Sequence, residues 1–363
     1  MRPDRAALRV AYTVEQCWHR VPGGTAVAAV EVARALHGAG DVDLRFVAGR
    51  HRHPPAPPFR PPGPIAHLPL PRPLLYEAWL RLGRPRVERV TGPVDVAHAT
   101  GLVPCPTRAP LVVTVHDIAF VHEPQGFTRQ GVRVMVRSLA VVRDRAAAVI
   151  TSSAASAADL RDHGIGDDRL RVVPLGVDAT PAAAADIDRV RRDYALPERF
   201  VLFVGTVEPR KNLGRLVAAI DASDERLPLV VAGPTGWGDA PAPTGAAVRF
   251  LGFVPPADLA ALYAAATVFA YPSEREGFGL PVAEAMAQGT PVVTSAGRST
   301  AEVAGGAAVL VDPLDVDAIG AGIEAALVDA SDLAIRGRAR AAELTWAATA
   351  AATRAVYAEV ARR

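Results

Sequence analysis

Short apolar runs recur along this chain, spaced so that a helix or a turn fits between them. In the first half LRVAYTV, VDLRFVA, DVAHAT, LVVTVHD and AAVITSS are each too short for a helix and dense in branched residues, so each predicts a strand. A Gly23-Gly24 turn follows the first of them, and then a helix with Val27, Val30, Ala33 and Leu36 along one side. Strands buried as continuous apolar runs and alternating with helices predict a parallel sheet covered on both faces, an α/β fold.

Between 54 and 73 the alternation stops, because ten of those twenty residues are proline. Such a stretch excludes a regular helix or a central strand and predicts a loop, with rigid surface connection as its ordinary role. The pattern restarts after VVPLGVD: a linker and leading helix, TPAAAADIDRVRRDYALPERF, precede the strands VLFVGTV, LPLVVAG, VRFLGFV, TVFAYPS, PVVTS and AAVLVDP. This places a domain boundary near 178, with residues 1–177 as one domain and 178–346 as another. The final stretch, about 347–363, has helical composition and is expected to pack on the first domain. Two such halves facing one another would leave a cleft at the carboxyl ends of their strands, where open α/β sheets bind ligands.

Composition narrows the class. At 363 residues and 50% apolar, the chain suits two globular domains, and no apolar stretch approaches the length of a membrane span. The Arg-rich opening MRPDRAALRVAYTV runs straight into a strand-like segment without a cleavage pattern, so a cytoplasmic location is expected. Cys17 and Cys105 stand far apart and outside any CxxC or Cys/His pattern, which supports neither a disulfide framework nor a structural zinc. The net charge of +2 conceals a division: residues 1–180 hold 23 Arg against 16 acids, leaving 17 basic against 22 acidic residues beyond. A basic front half suits an anionic acceptor or peripheral contact with the inner membrane face, with solvated arginine as the ordinary alternative; no nucleic-acid partner is expected.

Two segments concentrate chemistry. In VLFVGTVEPRKNLGRLVAAI a strand, the Gly205 turn, Arg210 and Lys211 lead into a helix bearing Leu213, Leu216, Val217 and Ile220. A guanidinium fork and a compact ammonium at a strand-to-helix turn suit a diphosphate, although Arg-Lys at a turn is usually a solvated surface. Lys211 is the only lysine in the chain, which favours function. In SEREGFGLPVAEAMAQGTPVVTS, Gly277 and Gly279 let backbone approach a ligand, Pro281 fits the first helical position, and the amides of that helix start form an anion site. Glu276 and Glu284 flank it. Near phosphate their use is to accept hydrogen bonds from sugar or ribose hydroxyls; the ordinary readings are a solvated loop acid and a helix N-terminal charge. Phosphate, ribose and sugar together describe a sugar nucleotide.

EGFGLPVAEAMAQGTPVV resembles the E-x7-E region of retaining glycosyltransferases of family 4, and GTVEPRKN resembles their phosphate-binding turn. The similarity continues through VTVHD, TSSAASAADL, VVPLGVD and LGFVPPADLAALYAAATVFAYPS in the family's order, over nearly the whole chain. The resemblance implies a GT-B fold, two Rossmann-like domains facing across a central cleft, the first for acceptor and the second for donor. By position it makes Arg210 and Lys211 the partners of the donor diphosphate, Glu284 that of the ribose and Glu276 that of the donor sugar. It places Gly277, Phe278, Gly279 and Leu280 along the sugar and phosphate pocket, Phe253 and Val254 near the base, and Gly24 of the glycine loop near the diphosphate. His116 of VTVHD matches a histidine that assists transfer. Glu15, His19 and His98 are weaker acceptor-side candidates, since EQCWHRVPGGTAVAA departs from the usual approach to the glycines.

The implied reaction moves a hexose from a nucleoside-diphosphate sugar, GDP-mannose first, to a hydroxyl of a glycan, lipid-linked or small-molecule acceptor. It proceeds with retention and without a metal or other cofactor. Rival readings are a GT-B epimerase or phosphorylase and a silent sugar-nucleotide-binding subunit. A dinucleotide oxidoreductase is disfavoured, since no GxGxxG follows a strand.

Overall fold

A computed structural model describes residues 7–19, 22–223, 225–234 and 247–362. Residues 1–6 of the Arg-rich opening considered as a leader lie outside the described residues. The chain divides into two compact units, Met1–Gly176 with Trp346–Arg363, and Val177–Thr345.

The first unit is built on a seven-stranded sheet: β1 Leu8–Thr13, β2 Val42–Ala48, β3 Ile65–His67, β4 Val96–Ala99, β5 Leu111–Thr114, β6 Ala148–Thr151 and β7 Leu170–Val172. Their order is β3-β2-β1-β4-β5-β6-β7, and every pairing is parallel. Side chains alternate between its two faces. Val10, Val96, Val112 and Ile150 pack with Val356, Tyr357 and Val360 of the helix Trp346–Val360, while Ala11, Ala97, Val113 and Val149 pack with Leu75, Trp79, Leu139 and Leu160. Both faces are thus covered, which is why the strands read as unbroken apolar runs.

The second unit carries β8 Val201–Val204, β9 Leu229–Ala232, β10 Val248–Gly252, β11 Val268–Tyr271, β12 Val292–Ser295 and β13 Val309–Val311. Their order is β10-β9-β8-β11-β12-β13, again wholly parallel. In each sheet the order reverses beside the unit's first strand, between β1 and β4 and between β8 and β11. Such reversals open a crevice at the carboxyl ends of the strands.

One expectation is corrected. The proline-rich stretch is not all loop: Ile65–His67, in its proline-free window, pairs with β2 as an edge strand, the position a proline-flanked segment tolerates. Leu170–Val172, not among the strands expected from the sequence, closes the other edge beside β6. Cys17 and Cys105 are both buried and unpaired.

Candidate functional site

In the second unit, β8 ends at Val204 and the chain turns through Gly205, whose φ of 156° and lack of a side chain leave room for Lys211: a Cβ there would lie 3.2 Å from Lys211 Nζ. A short 3-10 turn, Pro209–Lys211, then delivers both cations before the helix Leu213–Ala222, whose Leu213, Leu216, Val217 and Ile220 are buried. Between them Asn212 takes a left-handed conformation, φ 61°, and its side-chain amide donates to the carbonyls of Pro272 and Pro313. That bond fixes the turn against the end of β11.

Lys211 is not a surface lysine; it is 8% exposed. Its ammonium donates to the Tyr271 hydroxyl and lies 3.2 Å from Glu276 Oε1. Arg210 spans Glu208, 2.9 Å from Nε, and Glu276 Oε2, 3.2 Å from Nη1, and donates to the Arg275 carbonyl. Glu276 Oε1 also accepts from Tyr271, at 2.8 Å, and from Ser273, at 3.0 Å. Burial alone would push this carboxyl up. Lys211 and Arg210, with the hydroxyls of Tyr271 and Ser273, outweigh burial and hold it at about 2. Glu276 is therefore an anion at any physiological pH.

The basic pair and the first glutamate form one ion cluster, because the loop 274–276 is strapped to the 3-10 turn: Glu274 N–H donates to the Arg210 carbonyl, and Ser299 donates to the Glu276 carbonyl. Glu284 belongs to a different contact. It lies in the second turn of the helix Leu280–Gln288, and its Oε2 accepts from the buried Tyr263 hydroxyl at 2.8 Å. Burial raises its carboxyl above the ordinary value, with Tyr263 opposing. The helix start also differs in detail. Pro281 is its second residue, and the amides of Val282 and Ala283 bond back to the Gly279 carbonyl, so the amides that precede these bonds are those of Gly279 and Leu280. Gly279 has φ 110° and a Cβ there would meet Thr300 Cγ2 at 2.8 Å, so only glycine fits. Gly277, Phe278 and Leu280 are buried beside it. Of the pair assigned near a base, Val254 is buried and Phe253 is 64% exposed.

The residues that sequence reasoning missed are Tyr263 and Tyr271. Each hydrogen-bonds one glutamate, and their eight-residue separation equals that of Glu276 and Glu284. With Phe269 and Phe203 they form a run of ring contacts with centroids 5.4 to 5.7 Å apart. That repeated spacing was the available signal, in the string LYAAATVFAYPSEREGFGLPVAE.

In the first unit His116 follows β5. Its Nε2 is buried without a hydrogen-bond partner among the described residues, and burial, opposed by Asp117, lowers its pKa. His98, on β4, is a core residue: its Nδ1 lies 2.6 Å from the Tyr357 hydroxyl and its Nε2 2.8 Å from the Thr114 hydroxyl. Burial, then the proximity of His116, drive its pKa down to about 3, so it is neutral. Both rings line a cavity of about 30 Å³ with Tyr12 and Thr100, the size of a single water. Gly24 opens the helix Gly24–Ala39, His19 ends the 3-10 turn Glu15–Trp18, and Glu15 is buried within it. Among the described residues no three His, Cys, Asp or Glu side chains gather as a metal-ligand set, and no helix is long and apolar enough to cross a membrane.

Two doubly wound parallel sheets, each reversing order beside its first strand, define a GT-B fold. HepE from Anabaena, solved in complex with UDP and glucose, superposes with a TM-score of 0.71 over 97% of this chain and 100% of its own, at 18% identity. Residues 186–342 match the family described as glycosyl transferases group 1, and residues 22–180 match glycosyltransferase family 4. The chain belongs to this glycosyltransferase family. Among its curated relatives, the O-antigen chain mannosyltransferase B of Escherichia coli is 38% identical over 253 residues, 65% of this chain and 66% of that protein. The D-inositol 3-phosphate glycosyltransferase of Corynebacterium efficiens is 33% identical over 287 residues, 69% of this chain and 66% of that protein. The chain thus spans just under two thirds of the length of these relatives.

Proposed function

We propose that this protein transfers a hexose, with retention, from a nucleoside-diphosphate sugar to a hydroxyl of a glycan, lipid-linked or small-molecule acceptor, with GDP-mannose as the first donor. The observation that carries the reading is the cluster of Arg210, Lys211 and Glu276, two cations and a carboxylate held in a largely buried turn. Burying three charges is costly unless they serve one another or a ligand. A diphosphate would take over the partners of Glu276 and release its carboxylate to the donor sugar. Glu284, held by Tyr263, would accept from the ribose hydroxyls, while Phe253 and Val254 would serve the base and the amides of Gly279 and Leu280 the phosphates. Gly24 and His116 belong to the transfer step, and the unpaired Nε2 of His116 supports a polar ligand for it.

The chemistry asked of these residues is electrostatic. In a front-face substitution the bond from the anomeric carbon to the leaving phosphate breaks as the acceptor oxygen bonds on the same face. The acceptor proton passes to the departing phosphate oxygen. Arg210 and Lys211 would stabilise the charge that grows on that group, a role whose removal costs about 10²–10³ in rate in comparable sites. No metal is required for the balance.

The preference for mannose rests on GTVEPRKN and on the mannosyltransferase relative. Melting the purified protein with GDP-mannose, UDP-glucose, other UDP sugars and dTDP sugars tests the donor, since a ligand of the native state raises the melting temperature. Stabilisation by GDP-mannose with slow release of GDP is expected. Absence of any shift across the set would overturn the reading.

A further inference from the structure

Outside the residues assigned to transfer, the first unit holds a second polar cluster at the carboxyl ends of three adjacent strands. The parallel register sets Thr13 of β1 opposite Val47 of β2, and Ala48 of β2 opposite His67 of β3, so the segments leaving these strands emerge side by side. The turn after β1 carries Glu15 and Trp18, the segment after β2 carries Gly49 and His51, and β3 ends on His67.

Glu15 is 3% exposed, and both of its oxygens are used. Oε2 accepts from the Gly49 N–H at 2.7 Å and Oε1 from His51 Nε2 at 2.8 Å. A carboxylate only accepts, so the Nε2 proton points to Glu15 and Nδ1 is the nitrogen left for a ligand. The ring is held in place, because the indole of Trp18 stacks on it at 4.1 Å and 5° and is itself held by a bond from Nε1 to the His53 carbonyl. His67 is treated likewise: its Nδ1 donates to the Gly49 carbonyl at 2.6 Å, which leaves Nε2 for a ligand. The His67 ring stands edge-on, 6.2 Å from His51 and 6.0 Å from Trp18. Neither His51 Nδ1 nor His67 Nε2 has a hydrogen-bond partner among the described residues.

Two imidazoles, each with one nitrogen fixed by the fold and the other left for a ligand beside an indole, match a ring that carries hydroxyls, which both donate and accept, and C–H faces. We propose that Trp18, His51 and His67, with Glu15 as the positioning residue for His51, form a hydroxyl-recognising subsite for the sugar ring of the acceptor. This rests on the transferase reading and goes beyond it by naming the acceptor chemistry and the residues that meet it.

The test follows the imidazole nitrogens by long-range proton–nitrogen NMR in the full chain, with signals assigned from His51→Gln and His67→Gln. The probes are the methyl glycosides of mannose, glucose and N-acetylglucosamine, and myo-inositol. At least one should move the His51 and His67 signals saturably while leaving His37, at the end of the helix Gly24–Ala39, unmoved. Trp18→Ala should weaken that response roughly fivefold; Trp18→Phe, which keeps an aromatic face, should restore most of it. The proposal is overturned if no probe moves His51, if inorganic phosphate moves it equally, or if Trp18→Ala, still folded by circular dichroism, responds as the wild type does. Donor binding, read separately by thermal stabilisation, distinguishes the failures. A protein that ignores every sugar nucleotide defeats the transferase reading, whereas one that binds donor but whose His51 ignores the glycosides defeats only this subsite.

Discussion

Lys211 Nζ lies 3.2 Å from Glu276 Oε1, and the Tyr271 hydroxyl bonds to both groups. The ammonium is thus already neutralised before any ligand arrives, so a diphosphate must compete with a carboxylate that stays ionised down to a pKa of about 2.

Replacing Lys211 by Ala should lower transfer by at least about a hundredfold while the fold persists. Lys211→Arg should not restore it, because the side chain is only 10% exposed and the planar guanidinium cannot occupy the place of a compact ammonium against Tyr271. Steady-state rates beside circular dichroism check both; wild-type turnover in a folded Lys211→Ala protein would remove this residue from the site.

Tyr271→Phe keeps the ring contacts with Phe203 and Phe269 and deletes only the hydroxyl. Glu276 then loses one of its hydrogen bonds, an effect of about 1 kcal/mol. The expected result is a roughly fivefold fall in kcat/KM with little change in melting temperature. A loss of stability without loss of rate would make the hydroxyl a packing feature only.

Glu284 is a carboxyl raised by burial, so its sign is opposite to that of Glu276. The unfolded chain gives up this proton more readily than the native one, and stability falls as pH rises from the ordinary carboxylate value through the raised one. Glu284→Gln should therefore raise the melting temperature of the ligand-free protein at neutral pH and weaken sugar-nucleotide binding about tenfold. Paired thermal shifts with and without donor measure both. A variant that melts lower yet binds donor as tightly would contradict the assignment.

His98 is buried neutral, with its pKa lowered to about 3 from an ordinary 6.5. Between those values the unfolded chain binds a proton that the native chain excludes, so stability declines as pH falls below about 6.5. Melting temperatures taken from pH 7 to 5, above the window in which Glu276 is protonated, should drop more steeply for the wild type than for His98→Asn. Parallel slopes would show that another group carries the acid sensitivity.

How much of this could be read in the chain depends on how local each feature is. All six strands of the second unit announce themselves as apolar runs, and Lys211 stands out because no other lysine competes for notice. β3 and β7 were hidden because Ile65–His67 is hemmed in by prolines and Leu170–Val172 is interrupted by Arg171, so neither makes the unbroken apolar run by which the equally short β13 shows itself. Tyr263 and Tyr271 are buried within apolar segments; only their hydroxyls reach the glutamates, and a hydropathy pattern is blind to that. The pairing of Glu15 with His51 spans 36 positions and depends on the register of β1 against β2, which no window of sequence contains. The contact of Glu276 with the two cations is hidden for a similar reason: the strap from Glu274 to Arg210 joins two segments that lie more than sixty positions apart.

The hydrogen bond between His98 and Tyr357 joins positions 259 residues apart within a single compact unit. On the ribosome the second unit, continuous from 177 to 345, can complete its sheet while the first still exposes the face that the helix Trp346–Val360 will cover. The earlier half of the chain is consequently the later to mature. During synthesis its sheet holds the larger aggregation hazard, and a stop codon directly after Thr345 would damage the unit made first.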